Sequence, residues 1–129
     1  MAGALTAVPG SSDVVDRGFV TYSNVAKIEM IGVPQGTLAT YGAVSEETAR
    51  AMAEGALAAA GTGVSVAITG VAGPGGGSPE KPVGLVHFAS ARKGGPTRHR
   101  GMRFGPLTRD EIRRRSVLVA LDMLAEAAS

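Results

Sequence analysis

Apolar residues at Ala49, Met52, Ala53, Ala56, Leu57 and Ala60 recur at i, i+3, i+4, i+7, i+8 and i+11, one stripe along a helix. Ser45 predicts its start, Glu46 and Glu47 suit the positive end of its dipole, and Gly61 predicts its stop. The stripe is narrow and mostly alanine, which predicts a helix lying close on a sheet. The period then changes. Val64 to Thr69 (VSVAIT) is β-branched and predicts a strand, followed by the glycine- and proline-rich run GVAGPGGGSPEKP and a second strand from Val83 to Ser90. Lys93-Gly94-Gly95-Pro96 turns the chain, and Arg98 to Phe104 returns as an antiparallel partner. Thr108 and Glu111 form a T-x-x-E capping box for a helix to about Ala127, with Ile112, Ser116, Val117, Ala120, Leu124 and Ala127 inward.

The first third is less regular. Residues 1–8 read as a short helix without a capping residue ahead of it, stopped by Pro9-Gly10. So short a helix is marginal alone, because few hydrogen bonds offset its nucleation. Something is therefore expected to precede it in a complete ancestor. Arg17 to Tyr22 (RGFVTY) predicts a strand, and Asn24 caps a helix through Ile31 that Gly32 and Pro34 end. The order of elements predicts an α/β fold: a single layered domain with a mixed β-sheet flanked by helices.

Composition narrows the chemistry. A chain of 129 residues suits one core, and no apolar run approaches the roughly 20 residues of a membrane helix. Without cysteine there is no disulfide, no thiolate nucleophile and no Cys-type zinc site, and the start lacks the charged region of a signal peptide. A cytoplasmic address is expected by default. The formal net charge is only +2, yet Arg98, Arg100, Arg103, Arg109, Arg113, Arg114 and Arg115 crowd the last third, which points to an anionic ligand or a solvated face. Nucleic acid is disfavoured, since only five residues are aromatic and no recognised motif is present. His87 and His99 lack the carboxylate spacing of a metal site, so no metal is expected.

Three features could carry chemistry. Gly70 to Gly77 let backbone N–H groups crowd around an anion where a Cβ would interfere, although no helix follows, which excludes a P-loop or dinucleotide fingerprint. A plain hairpin loop would have the same composition. Lys27 falls in the first turn of its helix, where the dipole should depress its pKa, and beside the Tyr22 hydroxyl it could serve as a general base. A solvated surface lysine is the plainer alternative. Arg109 opens the last helix beside unpaired backbone N–H groups, a pairing able to hold a phosphate or carboxylate.

Read in order, VPGSSxxxxRGFVTYSNxAK at 8–27, GVP at 32–34, GAVSEETARAMAEGA at 42–56, TGVAGPGGGSPEKPVG at 69–84 and RFGPLTRDEIRRRSVLVALDML at 103–124 resemble the CinA C-terminal domain family, the nicotinamide-nucleotide amidases. The blocks span essentially the whole chain. The resemblance implies hydrolysis of the carboxamide of nicotinamide mononucleotide to nicotinate mononucleotide and ammonia, a step in NAD salvage, with a pyridine nucleotide as partner and no metal or organic cofactor. It carries catalytic roles to Tyr22, Lys27 and Thr69, and substrate binding to Arg109, Gly70, Ala72, Gly73, Gly75, Gly76 and Gly77. Assembly with further copies is left open.

Two departures change what is expected. The family's Ser-Cys-Thr-Gly-Gly motif, whose serine is the nucleophile, would lie some six residues before Met1 and is absent, along with the helix and strand that precede it. Pro106 stands where an aspartate is common, which leaves the orientation of Arg109 open. The implied mechanism is acyl transfer, with Lys27 and Tyr22 activating a serine and loop N–H groups or Thr69 holding the oxyanion. None of Ser11, Ser12 or Ser23 has a motif that replaces the serine, so little or no amidase activity is expected. Two other readings stand beside it: a binding module without catalysis, and a non-functional fragment whose exposed sheet edge would aggregate and melt without cooperativity.

Overall fold

The computed structural model describes all 129 residues. In chain order it contains α1 (Ala2–Thr6), a 3₁₀ turn (Ser11–Asp13), α2 (Asn24–Ile31), α3 (Gln35–Tyr41), α4 (Glu46–Ala60), β1 (Val64–Gly70), β2 (Leu85–Arg92), β3 (Arg98–Arg103) and α5 (Arg109–Ala128). The strands form one sheet in the order β1-β2-β3. The layered α/β architecture is the one expected. The sheet, however, is antiparallel throughout and not mixed, because each strand returns directly along its predecessor and no helical crossover intervenes.

Side-chain alternation assigns the two faces. Ala67, Ala89 and Ala91 point to the side where α4 brings Ala49, Met52 and Ala53, with Ile31, Val33 and Leu38 completing that core. Val86 and Phe88 point the other way, against Ile112, Ala120 and Met123 of α5, with Val66 and Ile68 half-buried beside them. The inward face of α5 thus uses Met123 where Leu124 was expected, and Leu124 is only half-buried. Small side chains on β1, β2 and α4 let helix and sheet approach closely. Gly55 extends that closeness to α2, because a Cβ built there would lie 1.7 Å from the Ile31 carbonyl oxygen.

The caps are mostly those the sequence announces. Ser45 Oγ accepts from Thr48 N at 3.1 Å, and Gly61 closes α4 with φ +67° while its N–H donates to Leu57 O. Thr108 Oγ1 accepts from Glu111 N at 3.2 Å. The reciprocal half of that capping box does not form, since the Glu111 carboxylate takes Arg114 and Arg115 and is pushed down to about 2 by Arg114 first and Arg115 second. α2 is capped by Ser23, whose Oγ accepts from Ala26 N at 3.0 Å, and not by Asn24.

Two expectations fail outright. Arg17–Tyr22 forms no strand: none of its backbone N–H groups donates, and only Thr21 O accepts, from Lys27 Nζ. β-propensity describes fitness for a pleated neighbour, and here there is none. Phe19 packs on the α4-side core and holds the segment. The other miss is α3, whose QGTLATY sequence shows no periodicity yet anchors Leu38. β2 also begins two residues later than expected, at Leu85, because Gly84 is needed at φ +92° where it abuts Gly105.

The two sheet edges differ in chemistry. β3 (RHRGMR) carries three arginines, which discourage strand addition, whereas β1 (VSVAITG) carries no charge. Lys93 N donates to Gly63 O and Val71 N to Leu85 O, so the odd-numbered residues of β1 face β2 with their backbone groups. Val66 and Ile68 therefore turn N–H and C=O outward. Amide hydrogen exchange followed by NMR should show Val66 and Ile68 exchanging at least about 100-fold faster than Ala67 and Thr69. Equal protection at all four would mean that this edge is covered in solution.

Candidate functional site

The glycine-rich loop runs from β1 to β2 and is tied at both ends. Val71 N donates to Leu85 O and Gly84 N to Val71 O, while Ser78 and Lys81 close a small turn on each other. Between these ties the N–H groups of Ala72, Gly73, Gly75, Gly76 and Gly77 have no partner in the protein. Gly73, Gly76 and Gly77 take φ of +74°, +77° and +83°, a region costly to residues with a Cβ. Gly73 is required a second way, since a Cβ there would come within 2.6 Å of Val83 Cγ1.

Two cations fasten the loop to the rest of the domain. Arg109, exposed at the start of α5, donates from Nη1 to Gly73 O at 2.9 Å, and Lys81 Nζ donates to Tyr41 O at 2.6 Å. With a guanidinium at a helix start beside its free amides, the loop has the chemistry to hold an anion. Next to it lies a groove of about 240 Å³ lined by Met1, Ile68, Gly70, Ala72, Val86, Ile112, Val117, Arg113 and Ser116. Arg113, one of the arginines whose crowding points to an anionic ligand or a solvated face, lines this groove. Lys81 is a residue that local sequence reasoning does not single out, and Arg113 one that it does not separate from its arginine neighbours. Arg113 lies one residue after Ile112 and so on the flank of the buried stripe, which was the available signal.

The other candidates are placed less directly. Thr69, buried at the end of β1, donates its hydroxyl to Ala43 O at 2.7 Å, so that proton is engaged within the fold. Lys27 is 5% exposed, and Nζ donates to Thr21 O at 2.9 Å. Its pKa is lowered, as expected, but the cause is burial of the ammonium. Tyr22 is 87% exposed, and no hydrogen bond joins it to Lys27. The geometry therefore unites Arg109 with the glycine loop and leads Thr69 into it, while no hydrogen bond connects Tyr22 or Lys27 to the loop. Ser23 Oγ is engaged in capping α2, and no serine hydroxyl is hydrogen-bonded to the Lys27 ammonium or to a histidine ring.

A second, wider cleft of about 710 Å³ lies beyond Lys81, lined by Tyr41, Glu46, Glu47, Glu80, His87, Gly101 and Arg103 among others. No group of His, Cys, Asp or Glu side chains is arranged to hold a metal ion, and no helix is long and apolar enough to cross a membrane.

Comparison with known proteins agrees with the block-by-block resemblance. The family model of the CinA C-terminal domain matches residues 1–128. A CinA-like protein of Akkermansia muciniphila is 50% identical over 127 residues, which are 98% of this chain and 30% of that protein. The chain thus spans less than a third of the length of such curated relatives. Among solved structures, the competence/damage inducible protein CihA from Agrobacterium tumefaciens superposes with a TM-score of 0.97 at 55% identity, covering 99% of this chain and 78% of that one. A CinA superfamily protein from Escherichia coli gives 0.89 at 38% identity, covering 96% and 71%.

Proposed function

The chain belongs to the CinA C-terminal domain family, and from that premise we propose that its glycine loop and Arg109 hold the phosphate of a pyridine nucleotide, in the manner of a nicotinamide mononucleotide amidase site. One observation carries the reading: unpaired amides on both sides of Pro74 in the loop whose Gly73 carbonyl accepts from Arg109. Those amides are preorganised donors, and the guanidinium retains further N–H groups for an oxyanion. The adjoining groove, apolar on the Ile68, Val86 and Ile112 side and polar at Arg113, suits a flat ring bearing a carboxamide.

Amide hydrolysis needs more than binding. A hydroxyl nucleophile requires a base within hydrogen-bond reach, and no serine in these 129 residues has one. This chain by itself therefore binds without turning over. Isothermal titration should give a saturable signal with nicotinamide mononucleotide and at least about tenfold weaker binding of nicotinamide riboside, which lacks the phosphate. An ammonia assay on the same samples should read no release. Release at ordinary enzymatic rates would overturn the separation of binding from catalysis, and equal affinity for both ligands would remove the phosphate from the reading.

A further inference from the structure

His87 and His99 were set aside in the sequence, but the fold joins them. In the β2–β3 hairpin His87 faces Gly101 and Ala89 faces His99, so the two imidazoles are diagonal neighbours on one face of the sheet. His87 Nδ1 lies 2.9 Å from His99 Nε2, and the rings stack with centroids 5.2 Å apart. His99 Nδ1 is 3.6 Å from Glu46 Oε1, while Arg50 Nε holds the other carboxylate oxygen at 2.8 Å. Three groups from α4, β3 and β2 thus form one line, whose two ends, Glu46 and His87, both line the 710 Å³ cleft.

The Glu46 charge sets the direction of the protons. A carboxylate draws the N–H of His99 to Nδ1, which leaves His99 Nε2 as an acceptor. That acceptor requires His87 to carry its proton on Nδ1. His87 Nε2 is then an unprotonated lone pair. It has no partner in the fold, and no fully buried side-chain nitrogen or oxygen lacks one, so Nε2 is not sealed from solvent, and His87 lines the cleft. Opposite it, Gly101 contributes no side chain, and even a Cβ there would stand 3.6 Å from His87 Nδ1.

We propose that this cleft is a second reactive centre, independent of the loop site, in which His87 Nε2 accepts the acyl group of a small activated carboxylic ester. The lone pair forms an N–C bond to the carbonyl carbon as the C–O bond breaks and the alcohol leaves as its anion. The His87 Nδ1 proton moves to His99 Nε2, and the resulting imidazolium faces Glu46. Water then cleaves the N–C bond: its oxygen stays on the acyl carbon as the carboxylate, His99 returns its proton to His87 Nδ1, and of the two water protons one neutralises the alcohol anion and the other passes to solvent. His87 is the catalytic residue, and His99 and Glu46 position it. Burial first, and then the cost of charging both imidazoles of the pair, hold the His87 pKa below the usual imidazole range, with Lys81 acting the same way and Glu46 and Glu47 opposing. His87 is accordingly a free base at neutral pH. Glu80 and Arg103 complete the charged lining of the cleft.

The probe is 4-nitrophenyl acetate, followed by release of 4-nitrophenolate. The protein should react about tenfold faster than equimolar N-acetylhistidine, with a rate that rises as pH climbs through the His87 midpoint and then levels. His87→Gln should remove the excess rate. Glu46→Gln should lower the plateau several-fold and move the midpoint to lower pH, a shift that loss of structure alone would not produce. Unchanged hydrolysis in His87→Gln, or acetylation found by mass spectrometry at another residue, would overturn the proposal. Nitrogen-15 NMR of the unmodified protein tests it without any substitution: His87 should carry its neutral proton on Nδ1, and a proton on Nε2 would refute the relay.

Discussion

Gly55→Ala is expected to destabilise the domain by about 2 kcal/mol and to lower its melting temperature by roughly 8 °C. Two effects oppose each other. Alanine in a helix interior is favoured over glycine by about 1 kcal/mol. Against this, the new methyl would fall 1.7 Å from Ile31 O and 2.9 Å from its carbonyl carbon. Neither atom belongs to a movable side-chain tip. Ile31 ends α2, Gly32 caps it at φ +64°, and Val33 follows at 1% exposure, so the obstructing carbonyl is fixed from both sides. α2 and α4 would have to separate, opening the core around Ile31, Val33 and Met52. Overpacking of this kind costs about 3 kcal/mol, which exceeds the propensity gain. Gly36→Ala is the matched control, because it also lies in a helix but meets nothing within 4 Å. It should raise stability by a few tenths to about 1 kcal/mol. Urea denaturation of both variants decides the matter, and a Gly55→Ala protein as stable as its parent would mean that α2 does not cross α4 at this residue.

That contrast shows what kind of information the chain displays locally. Caps and stripes are local, and they are legible: Ser45 to Gly61 bounds α4 within a residue, and Thr108 opens α5. Contacts across the chain are not. Nothing near Gly55 announces Ile31 O, and nothing in RGFVTY announces that its backbone would find no ladder partner. The site divides along the same line. The glycine loop was visible because its composition dictates its backbone, and Arg109 because it opens a helix. The line from Glu46 through His99 to His87 depends on a hairpin register in which residues 87 and 99 share a face, a relation available only once the turn at 93–97 is fixed. Lys27 was legible as perturbed but for the wrong reason, since burial of its tip depends on the packing of α2 and not on its place in the first turn.

Arg109→Ala should weaken nicotinamide mononucleotide binding by about 10- to 30-fold, the worth of one hydrogen bond to a charged group. The arginine acts twice. Its Nη1 holds Gly73 O, which tethers the loop that carries the free amides of Ala72, Gly73, Gly75, Gly76 and Gly77, and its charge adds attraction for the phosphate proposed to bind there. Arg109→Lys separates the two roles, because an ammonium keeps the charge but not the planar fork. If orientation of the loop dominates, the lysine variant should bind nearly as weakly as alanine; if charge dominates, it should recover most of the affinity at low salt and lose it as ionic strength rises. Arg115→Ala controls for net charge, since Arg115 is engaged with Glu111 and should change affinity less than twofold. Folding is little at risk in either substitution, because both side chains are exposed. An Arg109→Ala protein that binds as its parent does, while Arg113→Ala does not, would place the phosphate in the groove beside α5 and leave the glycine loop as a connector.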